Sequence, residues 1–402
     1  MLLPSALRAA LSKILIGYVV KYKTYFRFKI DFQLGIMSIM GSQNIRIKSM
    51  LGTSHSWAVT MRSLAQEFIK LENNLYIDSI NGYEMFPLNW HRLKRQIENP
   101  DIDICYTLPR NFEDRFAEKS KLKLAIYNYE TSVLPSVWKD SIKHIDIALP
   151  SSQFSKKVFV DAGWPEEKCV VVPHGIRPND FLNKRRVKNI KTKKRFKFLN
   201  VSIPHYRKNI GLVLDAYYSE FSDQDDVCLI IKTSLSKPKY KFECDVMREI
   251  LKVQKRHRKI KRFLPQVEVI KKKYDSIIPL YNSCDCLVSA SSSEGFGLPL
   301  LEGMAAGMLV VAPHVTGQAD FLNTRNSLKV DALEVDASER YQYWRPSPGA
   351  KTFMPEIDSL RHSMRMAYEK RSDLLSEFKP EIQNTLKTFT WENAAKKILE
   401  LG

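Results

Sequence analysis

Short apolar runs alternate with amphipathic stretches along most of the chain. In the first half, apolar and β-branched runs predict strands at 45–51, 75–80, 102–108, 122–129, 145–150 and 169–172. Between them, 57–71 and 153–162 repeat apolar residues with the spacing of helices. Strands that alternate with helices favour a parallel, doubly wound α/β sheet.

The same pattern starts again after residue 190. Strands are predicted at 196–201, 227–232, 267–270, 286–290 and 309–312, and helices at 210–221, 242–254, 276–282, 299–306 and 357–368. The turn-rich stretch PHGIRPND (173–180) separates the two sets. We therefore predict an N-terminal extension (1–44), two domains (45–178 and 179–380) and a final helical segment (381–402). Two such domains facing each other would place a ligand cleft between the carboxyl ends of their strands.

Composition and charge narrow the kind of partner. The 402 residues are 44% hydrophobic, which excludes disorder as the main state, and they carry a net charge of +19. Eleven Lys or Arg and no acid lie in 184–208, and fifteen basic residues face four acids in 232–273. This excess indicates an anionic partner, which is a nucleic acid, an acidic membrane surface or a phosphorylated small molecule.

The six cysteines are dispersed among apolar segments. This distribution is typical of core thiols in a reducing compartment, so we expect a cytoplasmic protein. The closest pair, Cys284 and Cys286, lacks the spacing of a zinc site, and no metal is predicted.

The first 30 residues contain six basic residues and no acid around the apolar stretch 14–20. That stretch is too short to span a bilayer and is unlike a secretory signal. Two interpretations stay open. The segment is an amphipathic helix that associates peripherally with an acidic membrane, or an extension packed on the first domain.

One segment, SSSEGFGLPLLEGMAAG (291–307), combines the features of an anion site. It follows an apolar strand and enters a helix, with Pro299 in its first turn. Backbone N–H groups of a glycine-rich turn at a helix N-terminus favour a diphosphate. Glu294 and Glu302 bear carboxylates that accept paired hydrogen bonds from vicinal hydroxyls. Together these groups indicate a nucleotide-sugar site, whereas the glycines alone would also fit close packing of a strand on a helix.

These residues resemble the E-x7-E signature of retaining glycosyltransferases of family four. Three further stretches are similar to that family: LPSSQFSKKVFVDAGWPEEKCVVVPHGI (149–176), SIPHYRKNIGLVLDAYYSEF (202–221) and FTWENAAKKIL (389–399). The resemblance implies the GT-B fold, which has two facing Rossmann-like domains with parallel sheets. It also implies a C-terminal helix that crosses back to the N-terminal domain.

Roles in donor binding follow from the resemblance by position. Glu302 would hold the ribose hydroxyls, and Glu294 would face the transferred sugar as a catalytic residue. Gly295, Phe296, Gly297 and Leu298 would offer backbone donors to the sugar and the diphosphate.

The phosphate clamp departs from the family pattern. Lys208 falls on the family's donor-phosphate lysine, a binding and catalytic position. The family's companion arginine is replaced by Ser202 here. Whether Arg207 substitutes for it stays open.

In the N-terminal domain the resemblance assigns an acceptor and phosphate loop to Gly52, Thr53, Ser54 and His55. Glu130 stands where many relatives place a histidine over the anomeric centre. It is expected either to position the acceptor hydroxyl as a catalytic residue or to cap the following helix.

The resemblance implies transfer of a hexose from a UDP-, GDP- or ADP-linked sugar to a hydroxyl of a glycan, lipid or protein. It implies retention, with the leaving diphosphate helping to deprotonate the acceptor, and neither a metal nor a cofactor. Two alternatives are weighed against it. Nucleic-acid binding through KVQKRHRKIKR (252–262) is disfavoured because aromatic residues are not interleaved there. A non-catalytic scaffold is disfavoured by the retained Glu294, Glu302 and Lys208.

Overall fold

The computed structural model describes residues 42–402 apart from 53–54, 83–92, 94–95, 188–189, 234–237, 272–273, 275 and 341–345. Residues 1–41, which form almost all of the predicted N-terminal extension, lie outside the described residues.

The N-terminal domain is built on a five-stranded parallel sheet with the order β2-β1-β3-β4-β5. Its strands are β1 (Asn44–Ser49), β2 (Asn74–Ser79), β3 (Ile102–Tyr106), β4 (Leu122–Ile126) and β5 (Ile147–Leu149). The helices are α1 (Ser56–Lys70) and α2 (Gln153–Asp161). Every residue of the central β3 is buried, which explains why its sequence is almost continuously apolar.

The prediction of a sixth strand at 169–172 is wrong. Cys169 makes one isolated bridge to Ala148, and the N–H groups of Val170 and Val172 donate to carbonyls along β5. The run is confined between a 3₁₀ turn that ends at Lys168 and Pro173, so it lies along the sheet edge as an extended segment.

The C-terminal domain contains a six-stranded parallel sheet with the order β11-β10-β9-β6-β7-β8. Its strands are β6 (Phe196–Val201), β7 (Val227–Lys232), β8 (Gln266–Ile270), β9 (Cys286–Val288), β10 (Leu309–Pro313) and β11 (Leu328–Val330). The helices are α3 (Ile210–Glu220), α4 (Val246–His257), α5 (Ile278–Tyr281), α6 (Leu298–Ala306), α7 (Ile357–Glu369) and α8 (Arg371–Thr388). The predicted α/β architecture with two parallel sheets is thus confirmed.

The sequence analysis predicted neither strand β11 nor helix α8, and two further features of this domain differ from it. An antiparallel hairpin of β12 (Ala332–Asp336) and β13 (Lys351–Pro355) follows the short edge strand β11. Helix α4 begins at Val246, four residues later than expected, because Asp245 caps its N-terminus. The residues before it are drawn into another interaction, since Cys244 N–H donates to the Pro204 carbonyl at 2.7 Å.

The last helix, α9 (Trp391–Leu399), crosses back to the N-terminal domain, as predicted. Its residues Trp391, Ala395 and Ile398 are buried in the core of the N-terminal sheet. The predicted boundary at 381 falls inside α8, so the crossing segment itself starts after Thr388. A side chain on Gly175 would place its Cβ 2.2 Å from the carbonyl carbon of Thr390, so only glycine permits this approach.

Candidate active site

A pocket lies at the carboxyl ends of β6 and β9, beside the N-terminus of α6. It is lined by residues from three segments: Asn200, Val201, Ser202 and Lys208; Leu287, Val288 and Ser289; and Glu294, Gly297, Pro299 and Leu300. The glycine-rich motif identified in the sequence therefore forms one wall of the pocket, and Lys208 belongs to another.

Residues 294–297 form a loop, named the donor loop, in which three backbone N–H groups have no acceptor among the described residues. The N–H groups of Gly295, Phe296 and Gly297 donate to no group within the described part of the chain. Gly297 has φ 95°, a conformation that favours glycine, and it leads directly into α6. Adjacent N–H groups at a helix N-terminus form a positive site that suits an anion.

The donor loop is held from below by the turn Thr316–Asp320. Thr316 Oγ1 accepts a hydrogen bond from the Glu294 N–H at 2.9 Å, and the Gly317 N–H donates to the Glu294 carbonyl at 2.9 Å. Gly317 packs so closely that a Cβ there would lie 2.1 Å from the Gly295 carbonyl oxygen. These contacts fix the backbone of the donor loop at Glu294 and Gly295.

Four charged side chains form one cluster at the mouth of the pocket. Glu294 pairs with Lys208 through one carboxylate oxygen and with Arg207 Nη1 through the other, at 3.2 Å. Arg207 Nη2 lies 3.2 Å from a carboxylate oxygen of Glu130, which belongs to the N-terminal domain. The side chains of Glu294, Lys208 and Arg207 are only 11–13% exposed, so water screens their charges weakly.

The cluster perturbs the acid–base behaviour of its members. Burial raises the pKa of Glu294, but Lys208 and Arg207 outweigh this effect and hold it at about 2. Burial, together with the adjacent Arg207 charge, lowers the pKa of Lys208 despite the contribution of Glu294. Glu294 is therefore ionised at any physiological pH, and a fixed negative charge faces the two cations.

The sequence between β6 and α3 positions the two cations. Residues Tyr206–Lys208 form a 3₁₀ turn, and Asn209 adopts a left-handed conformation with φ 48° before α3 begins. Asn209 Nδ2 donates to the Ala290 carbonyl and to Ser292 Oγ at 2.9 and 2.8 Å. The cation turn and the strand that leads to the donor loop are thereby joined.

The structure locates Arg207 relative to the missing family arginine. Ser202, at the position where the family has arginine, lines the pocket and donates from Oγ to Asn200 Oδ1 at 2.8 Å. Arg207 is not among the residues that line the pocket, and it donates instead to the Ser293 carbonyl at 2.7 Å. In this conformation Arg207 binds the two carboxylates and leaves Lys208 as the cation of the pocket wall.

Glu302 lies on α6 and is not among the residues that line this pocket. Its Oε2 accepts a hydrogen bond from the Tyr281 hydroxyl at 2.7 Å. Burial raises the pKa of Glu302 to about 7, and the Tyr281 hydrogen bond offsets only part of this effect. The assignment of Glu302 to the donor ribose stays a prediction.

The N-terminal loop assigned to the acceptor is only partly described. Thr53 and Ser54 lie outside the described residues. The Gly52 N–H donates to Asn81 Oδ1 at 3.0 Å, and His55 caps α1 by accepting from the Trp57 N–H at 3.3 Å. Burial lowers the pKa of His55. These contacts explain the shape of the loop, and its role toward an acceptor stays a prediction.

Sequence reasoning missed the polar residues by which the N-terminal domain supports the donor loop. Asn128 Oδ1 accepts a hydrogen bond from the Ser151 N–H at 2.7 Å. The Ser151 hydroxyl, which has one proton to donate, lies 2.8 Å from Asn128 Oδ1 and 3.2 Å from the Gly295 carbonyl oxygen. A Cβ on Gly295 would lie 2.6 Å from the Asn128 Cβ. Polar residues just after β4 and β5 were the available signal, because parallel strands end at the same sheet edge.

The hairpin also contacts both sides of the cleft. Lys351 and Ser132 exchange two hydrogen bonds, at 2.8 and 3.1 Å, two residues beyond Glu130. The N–H of Phe353 donates to the Ser292 carbonyl at 3.2 Å, next to the donor loop. The hairpin therefore links the segment that carries Glu130 to the segment that carries Glu294.

The described residues contain no group of three or more His, Cys, Asp and Glu side chains arranged to hold a metal ion. We also find among them no helix of sufficient length and apolarity to span a bilayer. All six cysteines are buried free thiols, as predicted.

Comparison with solved structures shows which known fold the chain shares. The chain resembles a glycosyltransferase from Rickettsia africae with a TM-score of 0.65 and 15% identity, over 89% of this chain and 97% of that one. It resembles HepE of Anabaena, solved with UDP-glucose, with a TM-score of 0.63 and 13% identity, over 89% and 99% of the two chains. The fold is that of GT-B glycosyltransferases.

Sequence comparison identifies a similar family. Residues 182–328, which are less than half of the 402-residue chain, match the model for glycosyl transferases group 1. The C-terminal domain is therefore similar to that family. A curated relative, an uncharacterised glycosyltransferase of Methanocaldococcus jannaschii, is 29% identical over 128 residues. That match covers 28% of this chain and 36% of the relative's length.

Proposed function

We propose that this protein is a retaining glycosyltransferase that moves a hexose from a nucleotide-diphosphate sugar to an acceptor hydroxyl. One observation carries the proposal: Lys208, Glu294 and Gly297 line one pocket, and the unused N–H groups of Gly295 and Phe296 belong to the same loop. Amides and a cation suit a diphosphate, and a carboxylate suits sugar hydroxyls. The similarity of residues 182–328 to glycosyl transferases group 1 supports the class of reaction.

In the proposed step, one bond at the anomeric carbon breaks and another forms. The bond from that carbon to the diphosphate oxygen breaks, and a bond to the acceptor oxygen forms on the same face. The acceptor proton passes to the leaving diphosphate. The protein's contribution is electrostatic: Lys208 and the donor-loop amides would stabilise the negative charge that develops on the diphosphate oxygens.

Donor binding requires the ion cluster to rearrange. In the structure, Lys208 is engaged by Glu294. A bound diphosphate would compete with that carboxylate for Lys208, and Glu294 would then be released toward the transferred sugar. We propose that this exchange couples occupation of the phosphate site to placement of Glu294.

On the acceptor side, Glu130 is the carboxylate of the N-terminal domain that reaches the cluster. We propose that it orients the acceptor hydroxyl while Arg207 holds it in place. The acceptor is a glycan, a lipid or a protein-linked sugar, and peripheral contact with an acidic membrane belongs to the same proposal.

We further propose that transfer needs no metal, because Lys208 and the donor-loop amides supply the positive charge that the leaving diphosphate requires. Treatment with EDTA should leave transfer unchanged. Loss of transfer in EDTA that manganese restores would contradict this part of the proposal.

The test of the proposed function is a thermal-shift screen against UDP-, GDP- and ADP-linked hexoses. UDP-glucose is the first donor to try, because HepE, which shares the fold, was solved with it. One nucleotide class should raise the melting temperature of the wild-type protein and not that of Lys208→Ala. Equal shifts in both proteins, or no shift with any donor, would contradict the assignment of the pocket.

A further inference from the structure

The surface formed by α4 and the turn after it, residues 246–263, is both apolar and basic. We name it the α4 surface. Four large apolar side chains are exposed there: Met247 at 39%, Leu251 at 61%, Ile260 at 84% and Phe263 at 59%. Met247 and Leu251 stand one helical turn apart, and Ile260 and Phe263 follow the end of the helix. A concentration of exposed apolar residues within 18 consecutive positions indicates an interaction surface.

The charges of the α4 surface are strongly one-sided. Glu249 is its one acidic residue. Arg256 pairs with Asp215, and Lys261 donates to the carbonyls of Ser219 and Phe221 at 3.2 and 3.0 Å. Six further cations have no carboxylate partner among the described residues: Arg248, Lys252, Lys255, Arg258, Lys259 and Arg262. These charges are available to an anionic partner.

The helix is anchored so that this face stays outward. Val246, Ile250 and Val253 are buried against the domain, and their spacing of three and four residues forms the inner stripe. Hydrogen bonds from Lys261 to the end of α3 hold the turn that follows. The outer side chains are thus presented by a fixed element.

Charge decides which occupant fits. The N-terminal segment of this chain carries six basic residues and no acid in its first 30 positions, so it repels a basic surface. A second copy, with a net charge of +19, is equally unsuitable. A nucleic acid would complement the charge but gives no reason for exposed Leu251, Ile260 and Phe263, because phosphate contacts do not need them. An anionic bilayer accepts both cations and apolar side chains.

We propose that the α4 surface docks on anionic lipid, with the four apolar side chains inserted among the headgroups and the six cations over lipid phosphates. The segment before α4 connects this surface to the cluster of charged side chains that contains Arg207, Lys208 and Glu294. The Tyr206 N–H donates to the Phe242 carbonyl at 2.9 Å, directly beside Arg207 and Lys208. Docking therefore holds the loop with Lys208 close to the bilayer, and, resting on the proposed function, it favours a lipid-linked acceptor.

The test uses the full chain and sedimentation with vesicles. Binding is measured to phosphatidylcholine alone and to phosphatidylcholine mixed with phosphatidylglycerol. The wild-type protein should bind only the mixed vesicles, and binding should weaken as salt rises. The variant carrying Lys252→Glu, Lys255→Glu and Lys259→Glu should have a partition coefficient at least about tenfold lower. A matched control, Lys119→Glu with Lys143→Glu and Lys379→Glu, makes the same change in net charge at exposed sites elsewhere and should bind as the wild type does.

A second variant separates lipid from nucleic acid. Leu251→Ser with Ile260→Ser and Phe263→Ser keeps the charges and should also lower vesicle binding at least about tenfold, because the inserted apolar area is lost. The proposal is overturned if both α4 variants, shown to be folded by circular dichroism, bind vesicles as tightly as the wild type. It is also overturned if only the charge variant loses binding and that variant alone loses a band shift with an oligonucleotide.

The proposed activity is measured apart from docking. Donor hydrolysis without vesicles should be the same in the wild type and both α4 variants, since none of the altered residues contacts the pocket. If the wild type hydrolyses no donor, the proposed function fails while vesicle binding still decides the docking proposal. With vesicle-embedded lipid acceptors, transfer by the α4 variants should fall in proportion to their binding.

Discussion

Replacement of Glu294 by glutamine removes the negative charge that balances Lys208 and Arg207. Although burial raises the pKa of Glu294, the two cations hold it at about 2 instead of 4.5. At about 1.4 kcal/mol per pH unit, this difference favours the ionised carboxylate by roughly 3 kcal/mol. We therefore expect Glu294→Gln to lower the free energy of unfolding at neutral pH by about 3 kcal/mol, because it removes the carboxylate that pairs with both Lys208 and Arg207.

The pH dependence has a definite sign. A carboxyl group whose pKa is lower in the folded protein stabilises the fold above its unfolded pKa of 4.5, and this contribution disappears as the pH falls toward 2. Urea unfolding of the wild type and of Glu294→Gln should therefore differ most at about pH 7, and the difference should shrink below pH 4.5 and vanish only near pH 2. Glu130→Gln is the matched control. Among the described residues the Glu130 carboxylate pairs with Arg207 and with no other cation, and it is more exposed than that of Glu294, so this variant should lose less stability.

The same substitution should strengthen nucleotide binding while it abolishes turnover. Without Glu294, a nucleoside diphosphate has no competitor for Lys208, and its affinity should rise about tenfold or more. Calorimetric titration with UDP, GDP and ADP measures this change. The reasoning is refuted if Glu294→Gln unfolds like the wild type at neutral pH and binds no nucleoside diphosphate more tightly.

Three further substitutions test Glu302, the support of the donor loop and the segment that crosses back to the N-terminal domain. Burial raises the pKa of Glu302 to about 7, so the free energy of unfolding of the wild type should fall as the pH rises from 4.5 through 7. In urea unfolding, Glu302→Gln should remove this fall. A variant with the same pH profile as the wild type would contradict the burial of the Glu302 charge. Gly317→Ala places a Cβ 2.1 Å from the Gly295 carbonyl oxygen, so it should displace the donor loop and eliminate the thermal shift given by the donor; a wild-type shift would show that the loop tolerates it. Gly175→Ala sets a Cβ 2.2 Å from the Thr390 carbonyl carbon, and it should cost about 1–3 kcal/mol and speed hydrogen exchange in α9; equal exchange would mean that the crossing segment moves without penalty.

The sheets were predictable because their strands are buried on both faces. Runs such as 227–232 and 309–313 are almost entirely apolar, so the buried strands can be recognised directly from the sequence. The hairpin was not predicted because β12 is largely exposed, and its apolar and polar residues alternate no more clearly than those of a loop. The strand expected at 169–172 failed for the opposite reason, since an apolar run packs along a sheet edge without forming a regular ladder.

The site was predictable where a local motif carries it and unpredictable where the tertiary structure assembles it. Glu294, Lys208 and the donor loop follow from short segments that resemble a family. The position of Arg207 between Glu294 and Glu130 does not, because Glu130 is 77 residues away in another domain. The same applies to Asn128 and Ser151, whose hydrogen bonds reach the donor loop across the cleft.

We propose that Lys208 and the donor loop form the diphosphate site of a retaining glycosyltransferase. The most direct test follows donor hydrolysis by nuclear magnetic resonance, with the best donor of the thermal-shift screen. The wild type should release a nucleoside diphosphate and a sugar whose first-formed anomer keeps the donor configuration, and Lys208→Ala should be slower by about a hundredfold or more. Release of the inverted anomer, or equal rates in the two proteins, would contradict the account.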